Sequence, residues 1–197
     1  MTSKKSRYRI APFDIQASAS FAHQVLAKAG VAGAVIGTVN TWSHLTSDEQ
    51  LQTKDLDLAV REEDTVWIEK ALREMGVSYA QLDIGGVKVE LPAQAVHVDF
   101  VNRRTDAQLV ALFREALRAA QESADTIEIG QVEMPAVPIE YVIAMKLATA
   151  RPKDDLIIQA LLHQADVSLD KALAVVSRHF GIVGTNRLKA LAGSPAR

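Results

Sequence analysis

The chain has 197 residues, with 22 basic against 24 acidic side chains, a formal net charge of −2 and 48% hydrophobic residues. That size and apolar content suit a packed domain with a small appendage, and the near-neutral charge excludes any global attraction for nucleic acid or anionic lipid. With no cysteine, disulfides, thiolate zinc sites and a cysteine nucleophile are excluded as well.

In chain order, the head carries Lys4, Lys5, Arg7 and Arg9. It lacks the apolar core of a signal peptide, and no apolar run approaches the roughly 18–20 residues that span a bilayer, so a cytoplasmic location without membrane contact is expected. Those basic residues fit either RNA phosphates or a solvated head. Residues 14–29 read as a helix, with Ala17, Phe21, Val25 and Ala29 at helical spacing and Gly30 as its stop. A strand over 33–38 follows, Ala34-Val35-Ile36 running into Gly37-Thr38. A glycine there lets backbone amides approach a phosphate, and the hydroxyl adds a donor. Residues 39–54 read as a long polar loop, in which Trp42 either stacks on a base or pins the loop.

The apolar stretch Asp55-Leu56-Asp57-Leu58-Ala59-Val60 then reads as a strand. Side chains alternate along a strand with a rise of roughly 3.3 Å per residue, which puts Asp55 and Asp57 on one face about 6.6 Å apart. Carboxylates so placed can converge on a divalent metal pair of roughly 3.5–4 Å separation, the arrangement suited to in-line phosphoryl displacement. The bland alternative is the solvent face of an amphipathic edge strand. A helix from Glu62 to Met75 closes at Gly76, and Gly85-Gly86 turns a hairpin between Tyr79–Ile84 and Val87–Leu91, with Pro92 ending the second arm. The run 95–101 is a further strand, carrying Asp99 with His97 on the same face. Five histidines without paired spacing make no zinc motif. Arg103 and Arg104 follow as a basic pair fitted to an RNA backbone, Asp106 caps a helix reaching about Gln121, and a short strand covers 126–129. From Pro138 on the pattern is helical: about 138–150, 153–164 and 168–180, with a glycine-punctuated tail that contains no complete phosphate loop.

An apolar strand, Gly-Thr, a loop, Asp-x-Asp and a third Asp on a later strand resemble the nucleotidyltransferase superfamily. Tyr141 to Asp154, containing Lys146-Leu147-Ala148, Arg151 and Lys153-Asp154, is similar to the Lys-Leu-x-Ala, Arg and Lys/Arg-Asp segment of its AbiEii toxin branch. The Gly37-Thr38 turn and the long loop before Asp55 depart from the usual Gly-Ser and shorter loop. The resemblance implies an α/β (α+β) fold: a nucleotidyltransferase-like mixed sheet flanked by helices over residues 1–135, then a helical C-terminal region over 136–197. It further implies transfer of a nucleoside monophosphate from an NTP to a hydroxyl of tRNA, another RNA or a small molecule. Asp55, Asp57 and Asp99 would be the catalytic residues and ligands of Mg2+ or Mn2+ in a two-metal site. Gly37, Thr38, Lys146 and Asp154 would bind the nucleotide, with Arg151 and Lys153 as further phosphate contacts. An antitoxin protein is the partner such a toxin would have. The rival expectation is a catalytically inactive member of the fold that acts as a binding or regulatory protein.

Overall fold

The computed structural model describes residues 15–46, 53–91 and 96–193. The basic head, Pro92 and the middle of the 39–54 loop lie outside the described residues.

Five strands form one mixed sheet in the order β1 (Ala34–Val35), β2 (Asp55–Ala59), β5 (His97–Val101), β4 (Gly86–Val89), β3 (Ala80–Gln81). Only β2 and β5 are parallel, and their register sets Asp57 beside Asp99 and Asp55 beside His97. A parallel pair needs a crossover. Here it is built from a 3-10 turn (Glu62–Asp64), helix α3 (Thr65–Glu74) and the β3–β4 hairpin.

Alternation along β2 and β5 divides the molecule. Leu56, Leu58, Val98 and Phe100 are fully buried on one face against α1 (Ile15–Ala29) and α3, with the hairpin β6 (Thr126–Ile129)–β7 (Val132–Pro135) closing that core. Ala59 and Val101 lie on the other face, in a core shared with α4 (Ala107–Ser123), α5 (Ile139–Thr149), α6 (Pro152–Leu162) and α7 (Leu169–Ala192). Asp55, Asp57 and Asp99 have the parity of Ala59 and Val101, so the apolar partners of the acids are what fix which way the acids point.

Several expectations need correction. The first strand ends at Val35, and Gly37-Thr38 opens a short helix, α2 (Gly37–Thr41), within the segment read as loop. Asn40 explains it: its amide donates to the carbonyls of Val35 (2.8 Å) and Val137 (3.0 Å), a long-range bond that local sequence does not announce. The buried stripe of α1 is Ser18, Ala19, Ala22, Val25 and Leu26, so Ala17 faces outward. β7 was not anticipated, because Pro135 reads as a breaker although an edge position tolerates it. The final helix runs to Ala192, with non-helical φ/ψ at Gly181 that the sequence reading took for its end. Asp106 does cap α4, accepting from the amides of Gln108 and Leu109. Among the described residues, no helix is long and apolar enough to cross a membrane.

Candidate active site

Asp55, Asp57 and Asp99 converge. One carboxylate oxygen from each lies within 4.8 Å of the others. They line a cleft of about 490 Å³ between the sheet and the α5–α6 corner, together with Gly37, Thr38 and Lys146. Asp154 does not line it.

The carboxylates have few protein partners. Thr53 Oγ1 donates to Asp55 Oδ1 at 2.7 Å, while Asp99 Oδ1 is buried without a hydrogen-bond partner among the described residues, as is Nδ1 of its strand neighbour His97. Burial first, then the charges of Asp55 and Asp99, pushes the Asp57 carboxyl up to about 7, against the opposing pull of Lys146 and Arg103. Burial likewise raises Asp99, partly offset by Lys88 from the neighbouring strand. An acidic cluster with an orphaned oxygen repels itself unless a cation is present. The donors are hard oxygens, the set that Mg2+ and Mn2+ prefer, so the residues fit such a metal.

Gly37 sets the position of Asp57. The Ile36 amide donates to the Asp57 carbonyl at 3.0 Å, which brings the Gly37 backbone, at φ +70°, against the Asp57 side chain. A Cβ on Gly37 would overlap Asp57 Oδ2. Both the left-handed backbone and the close approach therefore require glycine here.

The opposite wall is cationic. Lys146 has apolar helix neighbours, a setting in which a lysine commonly snorkels to the surface; in the structure it is only 5% exposed, because α5 is packed on most sides rather than along one stripe. Its Nζ lies 3.3 Å from Asp154 Oδ1. Asp154 is fully buried and also accepts from Thr149 Oγ1 and Arg151 Nε, each at 2.6 Å. Burial raises the Asp154 carboxyl, but these bonds and the Lys146 charge outweigh it and leave it below the usual carboxylate range. Burial conversely lowers the Lys146 ammonium, against the pull of Asp154. Asp154 thus reaches the cleft through Lys146, Thr149 and Arg151, all of which line it.

Thr53, Lys54 and Arg103 also line the cleft. No motif marks Thr53, whose role depends on a contact two residues along the chain. Arg103 and Arg104, paired in the sequence reading, part company: Arg103 turns into the cleft and Arg104 is exposed. Trp42 is buried in the core among α1 and β2 residues and so pins its own segment.

A family model described as a nucleotidyl transferase of unknown function (DUF2204) matches residues 16–179. The chain belongs to that family. It is accordingly a nucleotidyltransferase, with the mixed α/β fold expected from the resemblance: a five-stranded sheet, flanking helices and a long C-terminal helix. No curated protein matches. Several solved structures are similar, among them these three. The solution structure of the antibiotic-resistance factor ANT(2'')-Ia is 14% identical, covering 89% of this chain and 91% of that one at a TM-score of 0.46. The crystal structure of ANT(2'')-Ia in complex with adenylyl-2''-tobramycin is 13% identical, covering 89% and 94% at 0.46. An antigenic nucleotidyltransferase-like protein from Paracoccidioides brasiliensis is 11% identical, covering 90% and 91% at 0.48.

Proposed function

We propose that this cleft transfers a nucleoside monophosphate from an NTP to a hydroxyl of RNA. The observation that carries the reading is the convergence of three carboxylates on one side of a cleft whose other side presents Lys146 and Arg151. Asp55, Asp57 and Asp99 would hold Mg2+ or Mn2+, which when bound neutralises phosphate charge. The acceptor oxygen attacks the α-phosphorus, the bond to the bridging oxygen breaks, and pyrophosphate leaves with the electron pair. Asp99 Oδ1, free of protein partners, takes the proton of the attacking hydroxyl. Gly37 and Thr38 are assigned to the phosphates because both line the cleft and Gly37 carries no side chain to block it. Lys146 supplies a fixed cation, and Asp154 holds that ammonium in place.

The acceptor assignment rests on two supports. Lys54 and Lys153 line the same cleft beside the cations that face the triphosphate, which suits a polyanionic acceptor better than a polycationic small molecule. The Tyr141–Asp154 segment resembles the AbiEii branch, which also favours a toxin of a toxin–antitoxin pair acting on tRNA in the cytoplasm. The same reading keeps residues 1–135 as the αβ catalytic region and 136–197 as a helical region that lends Lys146 to it. Incubation with each labelled NTP, magnesium or manganese, and total tRNA should yield labelled RNA on a gel. Label appearing only on small-molecule hydroxyls would replace the acceptor, and no label on any acceptor would remove the activity.

A further inference from the structure

Arg103 is held in a way that the fold alone does not need. Three non-glycine residues among those described have positive φ: Arg103 (57°), Ala124 and Ala150. Ala124 and Ala150 are ordinary helix C-caps. Arg103 caps no helix; it lies between β5, the strand of Asp99, and α4.

Its neighbours fix this bend from both sides. Asn102 is buried, donating its side-chain amide to Thr65 Oγ1 at 2.8 Å and its backbone amide to the Gly85 carbonyl at 3.1 Å. Asn102 Oδ1 accepts from the Arg104 amide, and the Arg103 carbonyl accepts from the amide of Asp106, the α4 cap. So over-determined a backbone aims one side chain at one place. That place is the cleft, where Arg103 Nε is buried without a hydrogen-bond partner. No ion pair or side-chain hydrogen bond satisfies its guanidinium among the described residues. Nearby charges are Asp57, Asp106 and a second guanidinium, Arg151, whose Nε is already committed to Asp154. Two guanidiniums facing one cavity repel, and a buried donor left unpaired is costly. Both conditions are relieved by a multiply charged anion bearing several acceptor oxygens, which a guanidinium grips in planar, two-point fashion. The polyanion the proposed reaction brings to this cleft is a triphosphate.

We propose that Arg103 is a polyphosphate-binding residue of this site, gripping with Arg151 the part of the NTP that departs as pyrophosphate. This rests on the nucleotidyl-transfer reading and adds to it a residue from the sheet side of the cleft. As the bond from the α-phosphorus to its bridging oxygen breaks, the charge gathering on pyrophosphate meets a donor already in position.

The test uses inorganic pyrophosphate as an inhibitor of labelled NTP transfer, together with calorimetric binding of pyrophosphate in magnesium buffer and thermal melts. Arg103→Gly removes the side chain and releases the left-handed constraint. Its melting temperature should hold or rise, while pyrophosphate affinity should fall by about tenfold or more, the size of a lost charge-assisted bond. Arg103→Lys should fall between it and wild type, and Arg104→Ala should match wild type. A lower melting temperature with unchanged pyrophosphate binding would make Arg103 a structural residue and overturn the proposal. If Asp57→Asn abolishes transfer while Arg103→Gly leaves pyrophosphate binding intact, the proposal fails and the site reading stands. If wild type binds neither NTP nor pyrophosphate, both fall.

Discussion

The two walls of the cleft are built on opposite plans. On the sheet side, Asp55, Asp57 and Asp99 are placed by strand register and by the apolar residues alternating with them; among the described residues their carboxylate oxygens share one side-chain donor, Thr53. On the helical side, Lys146 is placed by a closed network, with Asp154 bonded at once to Lys146, Thr149 and Arg151. Backbone positioning leaves acidic oxygens free for a cation, at the cost of mutual repulsion. Side-chain positioning satisfies the ammonium beforehand and makes it part of the core. One wall should therefore be sensitive to backbone and metal, the other to the loss of a partner.

The largest effect expected is at the backbone of the acidic wall. Gly37→Ala adds a Cβ into Asp57 Oδ2 and a side chain at φ +70°. Displacing a reacting group by about 1 Å can cost roughly 100-fold in rate, and at least that loss is expected in single-turnover transfer of labelled NTP. Undiminished transfer would show that register alone does not set the acidic wall.

On the other wall the first expectation is loss of stability. Lys146→Ala leaves Asp154 buried with Arg151 and Thr149 only. Removing one partner of a buried pair costs about 3 kcal/mol at the low end of its usual range. For a chain of this size that is a fall of roughly 6–12 °C in the melting temperature. An unchanged melt would mean that the network is dispensable and that Lys146 behaves as a snorkelling surface lysine.

That contrast also explains what could be read in advance. Asp55, Asp57 and Asp99 were legible because period-2 alternation is local: the apolar Leu56 and Leu58 define the opposite face without knowledge of the rest of the chain. Gly37 was legible as a glycine at a strand end, but its contact with Asp57 needs the β1–β2 pairing. The burial of Lys146 was not legible, since a lysine among apolar neighbours on one helix looks the same whether a second helix covers it or not. The direction of Arg103 was not legible for a related reason: a left-handed φ fixed by Asn102, Gly85 and Asp106 turns it away from Arg104, and no residue type at position 103 signals that. The α2 helix depends on the long-range bond from Asn40 to Val137, whereas β7 is the second arm of a local hairpin with β6 that Pro135 disguises.

Titration should separate the walls further. Without metal, burial and the neighbouring carboxylates push the Asp57 carboxyl from its ordinary value of 3.8 up to about 7. The folded state then holds this proton more tightly than the unfolded state, so the stabilisation is complete at low pH. It is lost as pH rises from about 4 through about 7. Asp57→Asn removes that dependence at nearly constant volume. Chemical denaturation from pH 4.5 to 8 without metal should show wild type losing stability relative to the mutant, which becomes equal or more stable at the alkaline end. Manganese with NTP should restore wild type and do little for the mutant. Parallel pH profiles, or equal gains on adding metal, would mean that the acidic wall is not under charge strain.

The smallest expected effect tests the claim that the acids need almost no side-chain support. Thr53→Val keeps the shape of the residue and deletes the hydroxyl that donates to Asp55 Oδ1 at 2.7 Å and spans to the Asp55 backbone. Asp55 is only partly buried, so water can replace the lost donor and stability should fall by no more than about 1 kcal/mol. What should change is orientation. Partners that hold a metal-binding group in place typically contribute about tenfold or more to metal affinity or rate, so half-saturating manganese in the transfer assay should rise by about tenfold while the melting temperature moves little. The same variant should leave the pH profile of Asp57 unaltered, because among the described residues the Thr53 hydroxyl bonds to Asp55 and not to Asp57. A large stability loss would show that the acidic wall relies on side-chain bonding as the cationic wall does. Unchanged manganese dependence would show that strand register alone orients all three carboxylates.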